Sequence, residues 1–94
     1  MKFDPLSQTY LDQVRRRSEK ATTGPWIDFL ERRDQLSGES FIARGPNHSE
    51  SDLYFIGATD ADIEFIAHAR QDIPMLLDEI ERLKKELASY EIDQ

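Results

Sequence analysis

All four glycines of this 94-residue chain fall between positions 24 and 57, and they frame three short apolar runs. Gly24-Pro25 precedes Trp26-Ile27-Asp28-Phe29-Leu30. A polar stretch from Arg32 to Glu39, with Gly38 inside it, leads to Ser40-Phe41-Ile42-Ala43-Arg44, and Gly45-Pro46-Asn47 follows. Leu53-Tyr54-Phe55-Ile56 ends at Gly57. Glycine admits positive φ, and proline fixes its own φ while pushing its predecessor out of α geometry, so each run is closed off before a helix can form. Runs this short, rich in aromatic and β-branched residues, read as strands. The loops between them are polar and short enough for hairpins, which predicts a three-stranded antiparallel meander. Such a sheet needs a covering layer, and only the flanking segments can supply it.

Those flanks carry helical spacing. Asp4 is placed to cap a first helix, Pro5 suits its first turn, and Leu6, Tyr10 and Val14 recur every four residues, with Leu11 widening the stripe. Thr22, Thr23, Gly24 and Pro25 end it. Thr59 caps a second helix that starts with Asp60, Asp62 and Glu64 and presents Ile63, Ile66, Ala67 and Arg70, flanked by Phe65 and Ala69. Pro74 disfavours α geometry at Ile73, so the expectation is a break near Asp72, which would cap a third helix running to about Tyr90. Ile73, Leu76, Ile80, Leu83, Leu87 and Tyr90 follow a 3-4-3-4-3 spacing, a short heptad seam. In that register Glu79 and Glu86 take g positions and Lys84 an e position, so Glu79 can meet Lys84 of a parallel partner helix. The competing expectation packs Ile73 to Ile80 on the sheet and leaves a solvated tail held by Glu81/Lys85 and Asp78/Arg82 pairs. The fold expected is α+β, a single domain over 1–94: an N-terminal helix, a meander, then two consecutive helices.

Composition narrows the function classes. With 38% hydrophobic and 33% charged residues, 94 residues make one thin core with little room for a deep catalytic cavity. There is no cysteine, hence no disulfide or thiolate chemistry, which suits a reducing, cytoplasmic setting. No apolar run approaches the ~20 residues that span a bilayer, and Met1-Lys2-Phe3-Asp4-Pro5 lacks the stretch of a secretion signal, so membrane partners are not expected. Net charge is −7, split unevenly: eight Lys/Arg against seven Asp/Glu in residues 1–44, four against twelve in 45–94. The acidic balance argues against duplex nucleic acid as a partner.

Catalytic constellations are sparse. His48 and His68 lie twenty residues apart with no metal-ligand spacing, and Asp60, Asp62 and Glu64 are accounted for by a helix N-terminus. No phosphate loop, nucleophile elbow or dinucleotide fingerprint is present. An enzyme is therefore not expected, and no cofactor or metal is assigned.

Ala21-Thr22-Thr23-Gly24-Pro25-Trp26, together with Asp62-x-x-Phe65-Ile66-Ala67-x-Ala69-Arg70-x-Asp72-x-Pro74-x-Leu76-Leu77-x-Glu79-x-Glu81-x-Leu83, resembles a family of small phage and prophage proteins. Thr23 stands where that family usually has proline. The resemblance implies a phage-encoded accessory protein acting inside a bacterial cell, and no reaction comes with it. Trp26 then has two roles to choose between: an anchor over the junction of the first helix, the sheet and the Arg70-Gln71-Asp72 corner, or a stacking platform beside cations.

Two binding functions follow. In the favoured one, an oligomer sequesters a small nucleotide-type host signal, counteracting host defence, with Arg15, Arg16 and Arg44 beside Trp26 holding phosphates and base; Arg17, Arg32 and Arg33 should converge with them. In the alternative, the protein blocks or bridges a host protein through its C-terminal helices. The homo-oligomer interface is expected at Leu76, Ile80, Leu83 and Leu87, and an exposed seam in the monomer would favour the second function.

Overall fold

The computed structural model describes residues 6–36 and 38–92. In chain order it contains α1 (Gln8–Lys20), β1 (Trp26–Phe29), β2 (Phe41–Arg44), a short 3-10 turn (Pro46–His48), β3 (Glu50–Tyr54) and α2 (Asp60–Ile92). The strands form one antiparallel sheet in the order β1-β2-β3, as the glycine framing predicts. Phe29 pairs with Phe41 and Phe41 with Tyr54, so one row of aromatics crosses all three strands. Gly45, which ends β2, has φ of 86°, and a Cβ there would come within 2.5 Å of the Ser49 hydroxyl. That position requires glycine.

The third strand begins earlier than the run Leu53–Ile56 suggests. Pairing of Arg44 with Glu50 extends it backward through polar residues, with an irregularity in register between Ile42 and Arg44. The central strand fixes this: its unpaired edge needs a partner whatever the polarity of the residues that supply it.

One core joins the sheet to α2. Leu30, Ile42, Ile63 and Ala67 are buried together, and Trp26, Leu53, Phe55, Ala58 and Ile66 pack around them. α2 starts with a reciprocal cap: the Thr59 N–H donates to the Asp62 carboxylate at 3.0 Å and the Asp62 N–H to the Thr59 hydroxyl at 3.1 Å. The main neighbour of α1 is α2.

Three expectations for the helices need correction. The expected break near Pro74 is absent: α2 is one helix of 33 residues with Pro74 inside it. A proline there removes one hydrogen bond and crowds the carbonyl four residues back, a cost of ~3 kcal/mol that stays local. Anchors on either side oppose a break, since Gln71 is bonded to β1 and Leu77 is buried with α1 nearby. Asp72 is accordingly an exposed helix-interior residue rather than a cap.

The start of α1 also differs. Its cap is Ser7, whose hydroxyl accepts from the Tyr10 N–H at 3.1 Å, while Asp4 and Pro5 lie outside the described residues. The stripe expected to face the core is turned outward: Leu6 and Tyr10 are exposed and Leu11 alone in α1 is buried. A two-element contact with α2 takes the Leu11 side because the sheet is already covered.

Replacing Pro74 by alanine restores the missing backbone donor. The expected outcome is an unchanged helical circular-dichroism signal and a gain in stability of up to about 3 kcal/mol in urea unfolding. A loss of stability would show that the ring's packing beside Gly24 and Pro25 outweighs the backbone term.

Candidate functional site

Trp26 sits where the cis Gly24-Pro25 peptide delivers the chain into β1. Its backbone faces α2, and Gln71 meets it with both ends of one amide: the Trp26 N–H donates to Gln71 Oε1 at 2.9 Å, and Gln71 Nε2 donates to the Trp26 carbonyl at 3.1 Å and to the Ala67 carbonyl at 3.1 Å. A glutamine side chain thus occupies the place of a fourth strand at the sheet edge. The indole Nε1–H donates to the Thr22 carbonyl at 2.9 Å, which also accepts from Arg70 Nε at 3.0 Å. Trp26 is a half-buried anchor between the α1–β1 connection, the sheet and α2.

The arginines expected to converge are distributed over separate intramolecular contacts. Arg44 lies with its guanidinium carbon 5.7 Å from the Trp26 ring centroid, but donates to the Thr22 hydroxyl and the Ser51 carbonyl, each at 2.8 Å. Arg15 pairs with Asp78 at 3.0 Å and Glu81 at 3.5 Å, holding α1 to α2. Arg33 is gripped in the β1–β2 turn by Asp28 at 3.2 Å and Asp34 at 2.7 Å. Arg16 is exposed and donates no side-chain hydrogen bond among the described residues. Arg15, Arg16 and Arg44 therefore do not form one cluster with Trp26.

The turn network has an electrostatic consequence. The Arg33 guanidinium, and after it the Leu30 N–H, hold the Asp34 carboxyl below its ordinary range. A depressed folded pKa gives stability that is present above the unfolded value and lost as pH falls through the folded one. Asp34→Asn should lower the melting temperature at pH 7, with the difference from the parent shrinking once pH drops below 4. A difference constant with pH would show that the loss does not depend on the ionised carboxylate, and would overturn the assigned roles of both the Arg33 pair and the Leu30 bond.

Beside Trp26 lies an open apolar cleft of about 330 Å³ between the C-terminal end of α1 and the middle of α2. Val14, Ala21, Trp26, Phe65, Ile66, Ala69 and Ile73 line it, with Arg17, Ser18 and Arg70 completing the wall. Helical spacing continues this surface in both directions. Tyr10 extends the Val14 side of α1, and Leu76, Leu83, Leu87 and Tyr90 extend the Ala69 and Ile73 side of α2. Of the four expected interface residues, Leu76, Leu83 and Leu87 are exposed, whereas Ile80 is half-buried and shares a pocket with Leu11. The stripes expected on the two helices thus meet at this cleft, through Val14 and Ile73.

The outer face of the sheet carries a second feature. Phe29 and Phe41 stack at 5.0 Å, Tyr54 lies 5.7 Å from Phe41, and the His48 ring sits 6.1 Å from both phenylalanines, with its Nε2 2.8 Å from Asp52. Strand alternation alone predicts Phe29 and Phe41 on one face once the register is known, but the role of His48 depends on positive φ at Asn47 and His48. Among the described residues no group of three His, Asp or Glu is placed to hold a metal ion, and no helix is long and apolar enough to cross a membrane.

Comparison with models of known protein families, with curated proteins and with solved structures returned no match.

Gln71→Leu leaves two backbone groups of Trp26 without their partner. The expected cost is about 2 kcal/mol in urea unfolding, with β1 amides losing hydrogen-exchange protection before those of β2. Equal protection across the sheet would contradict the assigned role of Gln71.

Proposed function

We propose that the protein is a non-catalytic interaction module that assembles through the open apolar face of α1 and α2. The observation that carries this reading is the exposure of Leu76, Leu83, Leu87 and Tyr90, at 62, 49, 61 and 64%, in one stripe along α2. A solvated tail has no use for leucines at heptad spacing, because each leaves apolar surface in water. The shape agrees. The radius of gyration is 17.8 Å, against about 12 Å for a compact chain of this length, and the long dimension of 62 Å reflects a helix that outruns the sheet.

Intrahelical ion pairs support the same reading, since they stiffen the helix without using its apolar stripe. Arg82 bonds Glu79 at 2.6 Å and Glu86 at 3.0 Å, on the flank of the stripe. The sequestration of a nucleotide-type signal ranks second. It needs free cations beside Trp26, and Arg15 and Arg44 are engaged within the chain. With the resemblance to small phage proteins, an assembling module of this kind would act by covering or bridging protein surfaces inside a bacterial cell.

Light scattering across micromolar concentrations tests the assembly. The expected mass is a multiple of 10.9 kDa, and Leu83→Lys should return it to the monomer value while shifting the melting temperature by only a few degrees. A monomeric mass at every concentration would overturn the reading.

A further inference from the structure

Which helix covers the stripe is decided by the charges along its two edges. Continued toward the N-terminus, the seam takes in Ala69 and Ile66, so it spans residues 66–90 and places Phe65, Asp72, Glu79 and Glu86 on one edge, at g positions. Arg70, Leu77 and Lys84 lie on the other, at e positions. Three of the four g residues are acidic; both charged e residues among these are basic. In an antiparallel pair, g meets g and e meets e, so any alignment that overlaps the seams sets acid against acid. In a parallel pair, g meets the e residue five positions on. Glu79 then faces Lys84 of the second copy, whose ammonium also donates to Gln8 of its own α1, Phe65 faces Arg70 of the second copy, and the like-charged Glu86 and Glu91 meet only in the last turn.

Resting on the interaction reading above, we infer that the partner is a second copy of this chain, with the two α2 helices side by side in parallel. Phe65 of each copy would then cover the Trp26 cleft of the other. Two further observations fit. Phe65 is 74% exposed although it stands at the lip of an apolar cleft. Arg70 forms part of the cleft wall and uses its Nε on Thr22, which holds its side chain in place for an aromatic ring. Asp72, two turns beyond Phe65 and exposed, comes to the α1 edge of the other copy, where Arg17 also lines the cleft. One pairing thus covers the stripe, fills the cleft and sets Glu79 beside Lys84, whereas the antiparallel alignments set acids of the helix centre against one another.

The chain has no cysteine, which makes the orientation directly readable. Ala69→Cys and Leu87→Cys are made in separate chains, mixed under reducing conditions and then oxidised, and the products are identified by intact mass. In a parallel pair each position meets itself, so 69–69 and 87–87 linked dimers are expected. In the antiparallel alignment that sets Ala69 against Leu87, residue 87 lies about 27 Å along the axis from its counterpart. Like positions are then far beyond the ~7 Å that a disulfide tolerates between Cα atoms, and the mixed 69–87 product dominates. Mixed products overturn the parallel assignment and leave the interaction reading standing. A protein that light scattering shows to be monomeric, with no linked product, overturns both. Phe65→Ala serves as a second variant: a weaker dimer that still forms 87–87 links supports the cleft contact, and an unchanged dissociation constant removes it.

Discussion

The amide of Gln71 is the contact on which the arrangement of the molecule depends. β1 is an edge strand of four residues, too short to be held by its pairing with β2 alone, and its outer backbone groups need partners. Gln71 supplies a donor and an acceptor from one rigid plane, and its amide nitrogen also bonds the Ala67 carbonyl one turn back in α2. The strand is thereby fixed in height and direction against the helix. Everything else attached to β1 inherits that position, including the Trp26 ring, the Arg44 guanidinium stacked near it, and the connection that returns to α1.

Holding the sheet at one third of the way along α2 leaves the rest of the helix to α1. Leu11 and Leu77 are buried where the two helices meet, and Arg15 reaches Asp78 and Glu81 across the contact. These ion pairs are partly exposed, with side-chain exposures of 34% for Arg15 and 70% for Asp78, so their contribution is modest and they serve mainly to set register. The same engagement removes cations from solvent-facing sites. Of the cations that in sequence suggest an anion pocket, Arg15 and Arg33 hold acidic residues of this chain and Arg44 holds Thr22 and Ser51.

Legibility followed the range of the interactions. The meander was readable because turns at Gly24-Pro25, Gly45-Pro46 and Gly57 are local, and so was the Thr59 cap, whose two bonds lie within four residues. The continuity of α2 through Pro74 was not, since it rests on Gln71 and Leu77 finding partners 45 or more positions away. Spacing identified Leu6, Tyr10 and Val14 as a stripe but could not say which surface it faces; a helix that offers Leu11 to its neighbour turns Leu6 and Tyr10 to water and leaves Val14 at the cleft. The heptad residues were legible as a seam, and their exposure was not. Arg44 lies near Trp26, and its hydrogen bonds to Thr22 and Ser51 depend on a hairpin register that no local pattern encodes.

A core this thin explains why so many apolar residues end up outside it. Among the described residues the buried hydrophobics are Leu11, Leu30, Ile42, Ala43, Ile63, Ala67 and Leu77, two of them alanines. Small domains bury a low fraction of their unfolded surface, and folding free energy is a narrow difference between large terms. Covering the α2 stripe would bury four large side chains, each contributing about 1.5–3 kcal/mol when removed fully from water. These side chains are already about half covered in the single chain, and the loss of translational and rotational freedom on association is set against the gain, so the net stabilisation is modest. Folding and assembly are then coupled: the melting temperature of the parent should rise with protein concentration, whereas that of Leu83→Lys should not. Scanning calorimetry over a hundredfold concentration range separates the cases, and a parent curve that does not move would place all of the stability in the single chain.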